Sequence, residues 1–138
     1  FDEITLIQLP FNLLDNNNKR GDILKIAKAK GIEIHTRSVF LQGLFFKKTT
    51  EFTAKIKPLG HHLNSLNDLC DEGYKMNDLA LNYVCSQKNI DKVLIGVDNV
   101  NQLESNILSE KKNILKELIK KIESINVKET KLLNPSNW

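Results

Sequence analysis

Residues 4–37 read ITLIQLPFNLLDNNNKRGDILKIAKAKGIEIHTR and contain two segments with the composition of buried strands. Residues 4–9 are short, apolar and β-branched and stop at Pro10, which predicts a strand covered on both faces. Residues 32–37 predict a second strand. Because a helix is expected between them, the stretch forms a βαβ unit, and parallel strands joined by a helix indicate an α/β sheet or barrel.

The connection between the two strands is predicted to be a polar loop followed by a helix. Residues 15–19 include three asparagines in a row, so we expect the loop there. The helix is expected from about residue 21 to residue 30, because apolar residues and lysines take opposite sides at helical spacing. Gly31 ends the helix, since glycine enters the left-handed conformation without a Cβ penalty. The apolar side is predicted to carry Ile23, Ile26 and Ala27.

The rest of the chain predicts four more helices and a third strand, which is expected at residues 92–96. Residues 38–58 predict a loop with a short helix near residues 51–57. One later helix is expected to begin at Asn99, because Asn99 and Gln102 resemble a capping box, and the last is expected from about residue 112 to residue 124. The apolar faces expected for the four helices are, in chain order, Leu63, Leu66, Leu69 and Cys70; Leu79, Ala80, Tyr83 and Val84; Leu103 and Ile107; and Ile114, Leu118 and Ile122.

Residues 1–138 are predicted to form a single domain, because no repeat, linker or low-complexity tract interrupts them. A chain of this length can bury a real hydrophobic core. Three parallel strands nevertheless leave two exposed sheet edges, even when helices cover both faces. We therefore expect missing sequence or a second chain to complete the sheet.

The composition is that of a soluble globular protein, with 41% hydrophobic and 27% charged residues. The apolar runs are too short to span a bilayer, so no membrane partner is expected. The net charge of +3 is compatible with a nucleic-acid module, but the lysines are scattered along the chain. The series Lys111, Lys112, Lys116, Lys120 and Lys121 alternates with apolar residues and indicates a solvated helix face rather than a nucleic-acid patch.

The positions of the cysteines and histidines predict a protein with reduced thiols and without a metal site. Cys70 and Cys85 lie in predicted helices without ligand spacing, which favours a cytoplasmic protein and leaves a disulfide between them open. His61 and His62 are adjacent on a predicted helix, so their side chains point roughly 100° apart. No carboxylate or cysteine lies at ligand spacing from them, and both are expected to face solvent.

Six segments follow one another in a distinctive order. They are IQLPFNLLD at residues 7–15, AKGIEI at 29–34, TRSVFLQGL at 36–44, LALNYV at 79–84, VLIGV at 93–97 and NQLESN at 101–106. In order and spacing they resemble the last part of the aldo/keto reductases. The resemblance implies the C-terminal part of a TIM (β/α)8 barrel, with parallel strands and outer helices, from its sixth strand onward. Since such barrels need about 250 residues, the barrel is expected to be incomplete here.

The family's activity implies an NAD(P)-dependent oxidoreductase that acts on a small carbonyl or alcohol substrate. The family's catalytic aspartate, tyrosine, lysine and histidine lie in the first half of the barrel and have no counterpart in this chain. No catalytic role is therefore assigned to Tyr74, Tyr83, His35, His61 or His62. The chain begins with phenylalanine and not with methionine, so we expect a fragment or processed form that is inactive alone. The alternative is a non-catalytic half-barrel used for binding or self-assembly, in which two copies pair their open edges.

The resemblance also implies a nicotinamide-nucleotide site that holds NADP or NAD. Gln8 occupies the place of a glutamine that bonds the nicotinamide carboxamide, although neighbouring strands could satisfy its amide instead. Arg37 replaces an aromatic ring that stacks on the nicotinamide, and a cation beside an oxidised nicotinamide is unfavourable. Arg37 is therefore expected to hold an anionic substrate or a cofactor phosphate, or else to pair with Glu33 on the same strand face. The loop along the pyrophosphate and ribose is matched by Ser38, Phe40, Gln42 and Gly43.

The adenosine end of the site is implied by the turn and helix after the third predicted strand. Gly96 fits the turn, and the N-terminus of the following helix attracts phosphate. Gln102, Ser105 and Asn106 match positions that touch the adenosine phosphate, ribose and adenine, although Gln102 also has a capping explanation. Asp98 lies where many members carry a basic or hydroxyl residue for the 2′-phosphate. Since a carboxylate repels that phosphate and accepts from a free ribose hydroxyl, NADP and NAD both stay open.

Overall fold

The computed structural model describes residues 3–71, 73–110 and 113–138. Within them the strands are β1 (Leu6–Pro10), β2 (Glu33–Arg37) and β3 (Lys92–Val93), and the helices are α1 (Asn17–Ala29), α2 (Gly60–Asp71), α3 (Met76–Cys85), α4 (Val100–Glu110) and α5 (Lys116–Ser124). Shorter 3-10 turns occur at Leu41–Phe46, Thr49–Glu51, Lys57–Leu59, Thr130–Leu133 and Pro135–Asn137. The strands pair in parallel in the order β1-β2-β3, which confirms the predicted α/β class and the βαβ unit.

Two predicted segments differ from the structure. The third strand, predicted at residues 92–96, has only two residues that pair with β2. The pairing stops where Ser38, the residue after β2, takes a left-handed φ of 62° and turns the chain away from the ladder. The short helix predicted near residues 51–57 is also wrong. Two separate 3-10 turns flank this segment, and Pro58 lies in the first turn of the second one, where its missing N–H does no harm.

The two faces of the sheet have opposite environments. Ile34 and Thr36 of β2 are fully buried against the helices. On the other face Leu6 is 44% exposed, so the prediction that β1 is covered on both faces is wrong. The physical reason is that the helices cover only one side of the sheet. We call the uncovered side the open face, and the parallel register assigns to it Leu6, Gln8, Glu33, His35, Arg37 and Lys92.

The core lies between the covered face of the sheet and the helices. Tyr83 of α3 is fully buried, and its ring stacks on Phe11 with the centroids 5.7 Å apart. Its hydroxyl accepts a hydrogen bond from the Asn17 N–H at 3.1 Å, which joins α3 to the start of α1. The apolar faces predicted for α2, α3 and α5 are confirmed. Their buried members are Leu63, Leu66, Leu69, Leu79, Ala80, Tyr83, Val84, Leu118 and Ile122, while Cys70 and Ile114 are half-buried.

Helix α1 begins at Asn17, inside the stretch that was predicted to be a loop. Asn16 is fully buried and caps the helix, because its side-chain oxygen accepts a hydrogen bond from the Asn18 N–H at 3.1 Å. The Asn16 amide also donates to the carbonyl oxygens of Ile122 at 2.9 Å and Ile125 at 3.0 Å, which holds the end of α5 against α1. The prediction was wrong because asparagine favours loops and helix N-caps alike.

In α1 and α4 the side predicted to be apolar and buried is largely exposed. Helix α1 is buried through Gly21, Leu24 and Ala27, and helix α4 through Asn106 and Ser109. A helix side becomes buried only where a neighbouring element covers it, and periodicity does not reveal the neighbour. The exposed apolar residues of the predicted sides are Ile23, Ile26, Leu103 and Ile107.

Helix α5 begins at Lys116 rather than near residue 112. Lys116, Lys120 and Lys121 are exposed, which confirms the predicted solvated face for these three residues. Lys111 and Lys112, which belong to the same predicted face, lie outside the described residues.

One of the two histidines that were predicted to face solvent is buried. The Nε2 atom of His62 lies 3.8 Å from Glu129 Oε2, which belongs to the C-terminal segment that follows α5. Burial is the main cause that lowers the pKa of His62, and the charge of His61 is the second. His61 itself is exposed, as predicted. The prediction failed for His62 because the covering segment is distant in sequence.

Both cysteines, Cys70 and Cys85, are free thiols, so the disulfide that the sequence left open is not formed. No helix in the described parts of the chain is both long enough and apolar enough to cross a bilayer. Within residues 3–71, 73–110 and 113–138, no three histidine, cysteine, aspartate or glutamate side chains are grouped so as to hold a metal ion.

We expect Asn16→Ala to lower the free energy of unfolding by roughly 2–3 kcal/mol, because it removes a helix cap and deprives two carbonyls of a donor. Asn16→Asp keeps the capping oxygen but not the donors, so its free energy of unfolding should lie between those of the wild type and Asn16→Ala. The measurement is denaturant unfolding of the gene product that contains this chain. Asn18→Ala is the matched control, since the exposed Asn18 amide donates to a single acceptor among the described residues, Glu123 O at 3.3 Å. An equal decrease in the free energy of unfolding for Asn16→Ala and Asn18→Ala would contradict the role given to Asn16.

Candidate functional site

A cleft of about 700 Å³ lies at the carboxyl ends of β2 and β3, beside the start of α4. In α/β proteins this end of the strands is where ligands bind. The cleft brings together nine of the eleven residues predicted for the cofactor site. They are Ser38, Phe40, Gln42, Gly43, Gly96, Asp98, Gln102, Ser105 and Asn106.

One wall of the cleft is a loop with a strained backbone. Leu41, Gln42 and Gly43 are consecutive and have positive φ angles of 45°, 50° and 77°. A residue other than glycine in this region costs about 1 kcal/mol or more, and such strain persists only where the surroundings enforce it. Here the enforcing contacts are the fully buried Leu41 side chain and the Leu41 N–H, which donates to Ser38 O at 3.0 Å. An added Cβ at Gly43 would meet no atom within 4 Å, so the glycine serves the backbone angle and not a close approach.

The opposite wall is the turn before α4. Asn99 caps the helix, because its side-chain oxygen accepts from the Gln102 N–H at 3.0 Å. The Gln102 side chain accepts in turn from the Asp98 N–H at 2.8 Å. The capping interpretation of Gln102 is therefore confirmed, with Asp98 rather than Asn99 as its partner. The positive end of the helix dipole and the exposed Asp98 carboxylate thus lie at the same end of the cleft.

Asn77 of α3 also lines the cleft and was not predicted from the sequence. Its Nδ2 atom is buried and has no hydrogen-bond partner among the described residues. An unpaired buried donor costs about 1–3 kcal/mol, so the amide is well suited to an acceptor on a ligand. No local signal marks it, because an asparagine near the start of a helix is common. The other lining residues that were missed are Val39, Phe46, Leu94 and Ile95.

Gln8 and Arg37 do not line the cleft and lie instead on the open face of the sheet. Gln8 is exposed, so neighbouring strands do not bury its amide. The ion pair between Arg37 and Glu33, which was one of the two alternatives for Arg37, is not formed. The Glu33 carboxylate lies 2.8 Å from His35 Nε2 and 3.0 Å from Lys92 Nζ. The hydrogen bond with His35 and then the one with Lys92 are the main causes that lower the pKa of Glu33.

A sequence model of the aldo/keto reductase family matches residues 2–127. L-galactose dehydrogenase from Arabidopsis thaliana is 29% identical over 97 residues, which are 67% of this chain and 30% of that protein. The structure of aldo-keto reductase AKR11C1 from Bacillus halodurans matches at 15% identity, with a TM-score of 0.69 in the apo form and 0.70 in the holo form. These two matches cover 91% of this chain and 44% and 43% of those structures. The predicted fold, part of a TIM barrel of this family, is thereby confirmed, and the chain spans less than half the length of these relatives.

Proposed function

The chain belongs to the aldo/keto reductase family, and on that premise we propose that it is the cofactor-binding half of an NAD(P)-dependent oxidoreductase. The observation that supports this is the cleft at the carboxyl ends of β2 and β3. The substrate is a small carbonyl compound or alcohol, and the remainder of the full-length protein supplies the proton donor. The free thiols of Cys70 and Cys85 are in keeping with a reducing compartment such as the cytoplasm.

The residues of the cleft fit a dinucleotide. Its volume of about 700 Å³ lies within the range of roughly 300–1,000 Å³ typical of small-molecule sites. The rings of Phe40 and Phe46, with centroids 5.6 Å apart, offer an apolar wall to a ribose or a base. The buried Asn77 Nδ2 offers a donor for which the described protein holds no acceptor. Adenine nitrogens are acceptors of the required kind.

Each wall of the cleft has a part in binding. The strained loop with Ser38, Gln42 and Gly43 follows the pyrophosphate and the adjoining ribose. The N-terminal end of α4 takes the adenosine phosphate, because the helix dipole favours an anion there. Gly96 makes the turn that precedes this helix, without a side chain between the turn and the ligand. The adenosine end is held by Gln102, Ser105 and Asn106, together with Asn77.

The reaction moves a hydride and a proton to a carbonyl group, so that an aldehyde or ketone becomes an alcohol while NAD(P)H becomes NAD(P)⁺. The cofactor, when bound, supplies the hydride. Gln8 orients the nicotinamide by hydrogen bonding to its carboxamide from the open face. Tyr83 does not supply the proton, because its hydroxyl is buried in the core and accepts from the Asn17 N–H. Burial also raises the pKa of Tyr83.

We expect the wild-type gene product to bind NAD more tightly than NADP, because the exposed Asp98 carboxylate repels a 2′-phosphate at the adenosine end. Asp98→Ser should improve the NADP affinity relative to the NAD affinity about tenfold. The measurement is fluorescence titration of the full-length protein with each cofactor. Asp22→Asn, which removes an exposed carboxylate on α1, is the control and should leave the ratio unchanged. A wild-type protein that binds NADP as tightly as NAD would contradict the assignment of Asp98.

We expect Asn77→Ala to have opposite effects on stability and on cofactor affinity. Without cofactor the variant should be more stable by about 1 kcal/mol, because an unpaired buried donor is removed. Its cofactor affinity should fall roughly tenfold, because a hydrogen bond to the adenine is lost. Thermal unfolding and cofactor titration of the full-length protein measure the two effects. Asn64→Ala, at an exposed position of α2, should change neither. Unchanged cofactor affinity in Asn77→Ala would count against the proposed site.

The alternative is a non-catalytic half-barrel that pairs with a second copy of itself. Exposed apolar residues favour it. Ile4 and Leu6 lie at the edge of the sheet formed by β1, and Leu94 and Leu103 lie near the edge formed by β3. Native mass spectrometry of the 138-residue chain distinguishes the two functions. Because an oxidoreductase half needs its missing partner segment, we expect no stable dimer from the isolated chain. A stable dimer that binds neither NAD nor NADP would establish the alternative instead.

A further inference from the structure

Arg37 is the last residue of β2, and its charge is not neutralised within the described chain. The side chain is exposed on the open face, at the carboxyl end of the sheet. Its Nη1 atom donates to the Ser38 hydroxyl at 3.2 Å. No carboxylate of the described residues forms an ion pair with it. Most of the N–H donors of this guanidinium are therefore directed to solvent.

The neighbouring acid on the same face is already engaged. Glu33 lies four residues before Arg37 and interacts through one carboxylate oxygen with both His35 and Lys92. A shift of Glu33 toward Arg37 would break these two contacts. The open face therefore has two cationic side chains, Lys92 and Arg37, and one carboxylate, Glu33. It is electropositive at the end of the strands where a substrate enters a barrel.

The backbone of Arg37 is held in place from both sides. The Phe11 N–H donates to Arg37 O at 3.1 Å, and the Asn12 amide donates to Ser38 O at 3.2 Å. Asn12 is fully buried, and its oxygen accepts from the N–H groups of the two residues at positions 14 and 15 at 3.0 and 2.9 Å. The guanidinium thus extends from a fixed backbone, so ligand binding has to order the side chain but not the chain segment that carries it.

We propose that Arg37 binds an anionic group, a carboxylate or a phosphate, on the carbonyl substrate. This inference rests on the proposed oxidoreductase function, since it names the substrate class of the same site. The planar fork of arginine matches a carboxylate or phosphate through two parallel hydrogen bonds. A phosphate of the cofactor is the other possible source of the anion. The geometry favours the substrate, because the residues proposed to hold the cofactor phosphates line the cleft and Arg37 is not among them.

The test compares 4-carboxybenzaldehyde with its neutral methyl ester as substrates of the full-length gene product. We expect the wild type to have the higher kcat/KM for the carboxylate. Arg37→Met should lower that value by roughly 10- to 100-fold and change the value for the ester less than about threefold. Arg37→Lys should recover part of the loss, because it keeps the charge but not the fork. Lys25→Met removes an exposed cation on α1 and should leave both values unchanged.

Three results would overturn the inference. If Arg37→Met weakens NAD and NADP binding and leaves the carboxylate preference intact, the anion belongs to the cofactor. If Arg37→Met lowers the thermal stability and leaves the preference intact, the arginine pairs with a carboxylate elsewhere in the full-length protein. If the wild type shows no preference for the carboxylate, the substrate is not recognised through an anion.

Failure of the proposed function would be seen separately, as a wild-type gene product that binds neither NAD nor NADP. In that case calorimetric titration with benzoate tests whether Arg37 binds an anion. Benzoate binding that Arg37→Met abolishes and Lys25→Met retains would support an anion site at Arg37. Equal benzoate binding in the wild type and Arg37→Met, or none in either, would overturn it.

Discussion

Two fully buried asparagines after β1 carry the hydrogen bonds on which the rest of the structure depends. Asn12 accepts from two backbone N–H groups of its own turn and donates to Ser38 O, so it joins the ends of β1 and β2. Asn16 caps α1 and donates to two carbonyls at the end of α5. Because buried polar groups must be paired, neither asparagine can be removed without leaving several backbone groups unsatisfied. The turn between β1 and α1 therefore positions both the sheet end and the last helix.

The covered and open faces of the sheet have different roles, the first in stability and the second in the proposed binding of ligands. Helices bury one face and provide the stable core, with Ile34 and Tyr83 at its centre. The carboxyl ends of β2 and β3 border the cleft, because parallel strands bring these ends to one edge. Gln8 and Arg37 lie on the open face, one on each of two paired strands. The proposed cofactor contacts and the proposed substrate contact thus meet at the end of β2, where Arg37 is followed by Ser38.

The walls of the cleft also have features that lower the stability of the fold. Leu41 and Gln42 occupy left-handed backbone conformations, which are unfavourable for residues with a Cβ. Asn77 buries a donor without a partner in the described protein. Such features are tolerated where a buried anchor or a ligand offsets them, and they cluster at binding sites. Their place in one cleft is a physical argument for a ligand that is independent of the family resemblance.

The sequence by itself determined the α/β class, the βαβ unit, the buried faces of α2, α3 and α5, and the nine predicted residues that share the cleft. The class, the unit and the buried faces follow from local periodicity, which does not depend on distant neighbours, whereas the nine residues follow from the resemblance to the family. Only the tertiary structure decided which side of α1 is buried, that His62 is covered by the C-terminal segment, and that Glu33 pairs with Lys92 instead of Arg37. Each of these depends on which distant element lies against the residue. Periodicity specifies the sides of a helix or strand but not what packs on them, and for that reason Asn77 and the open face were found only in the fold.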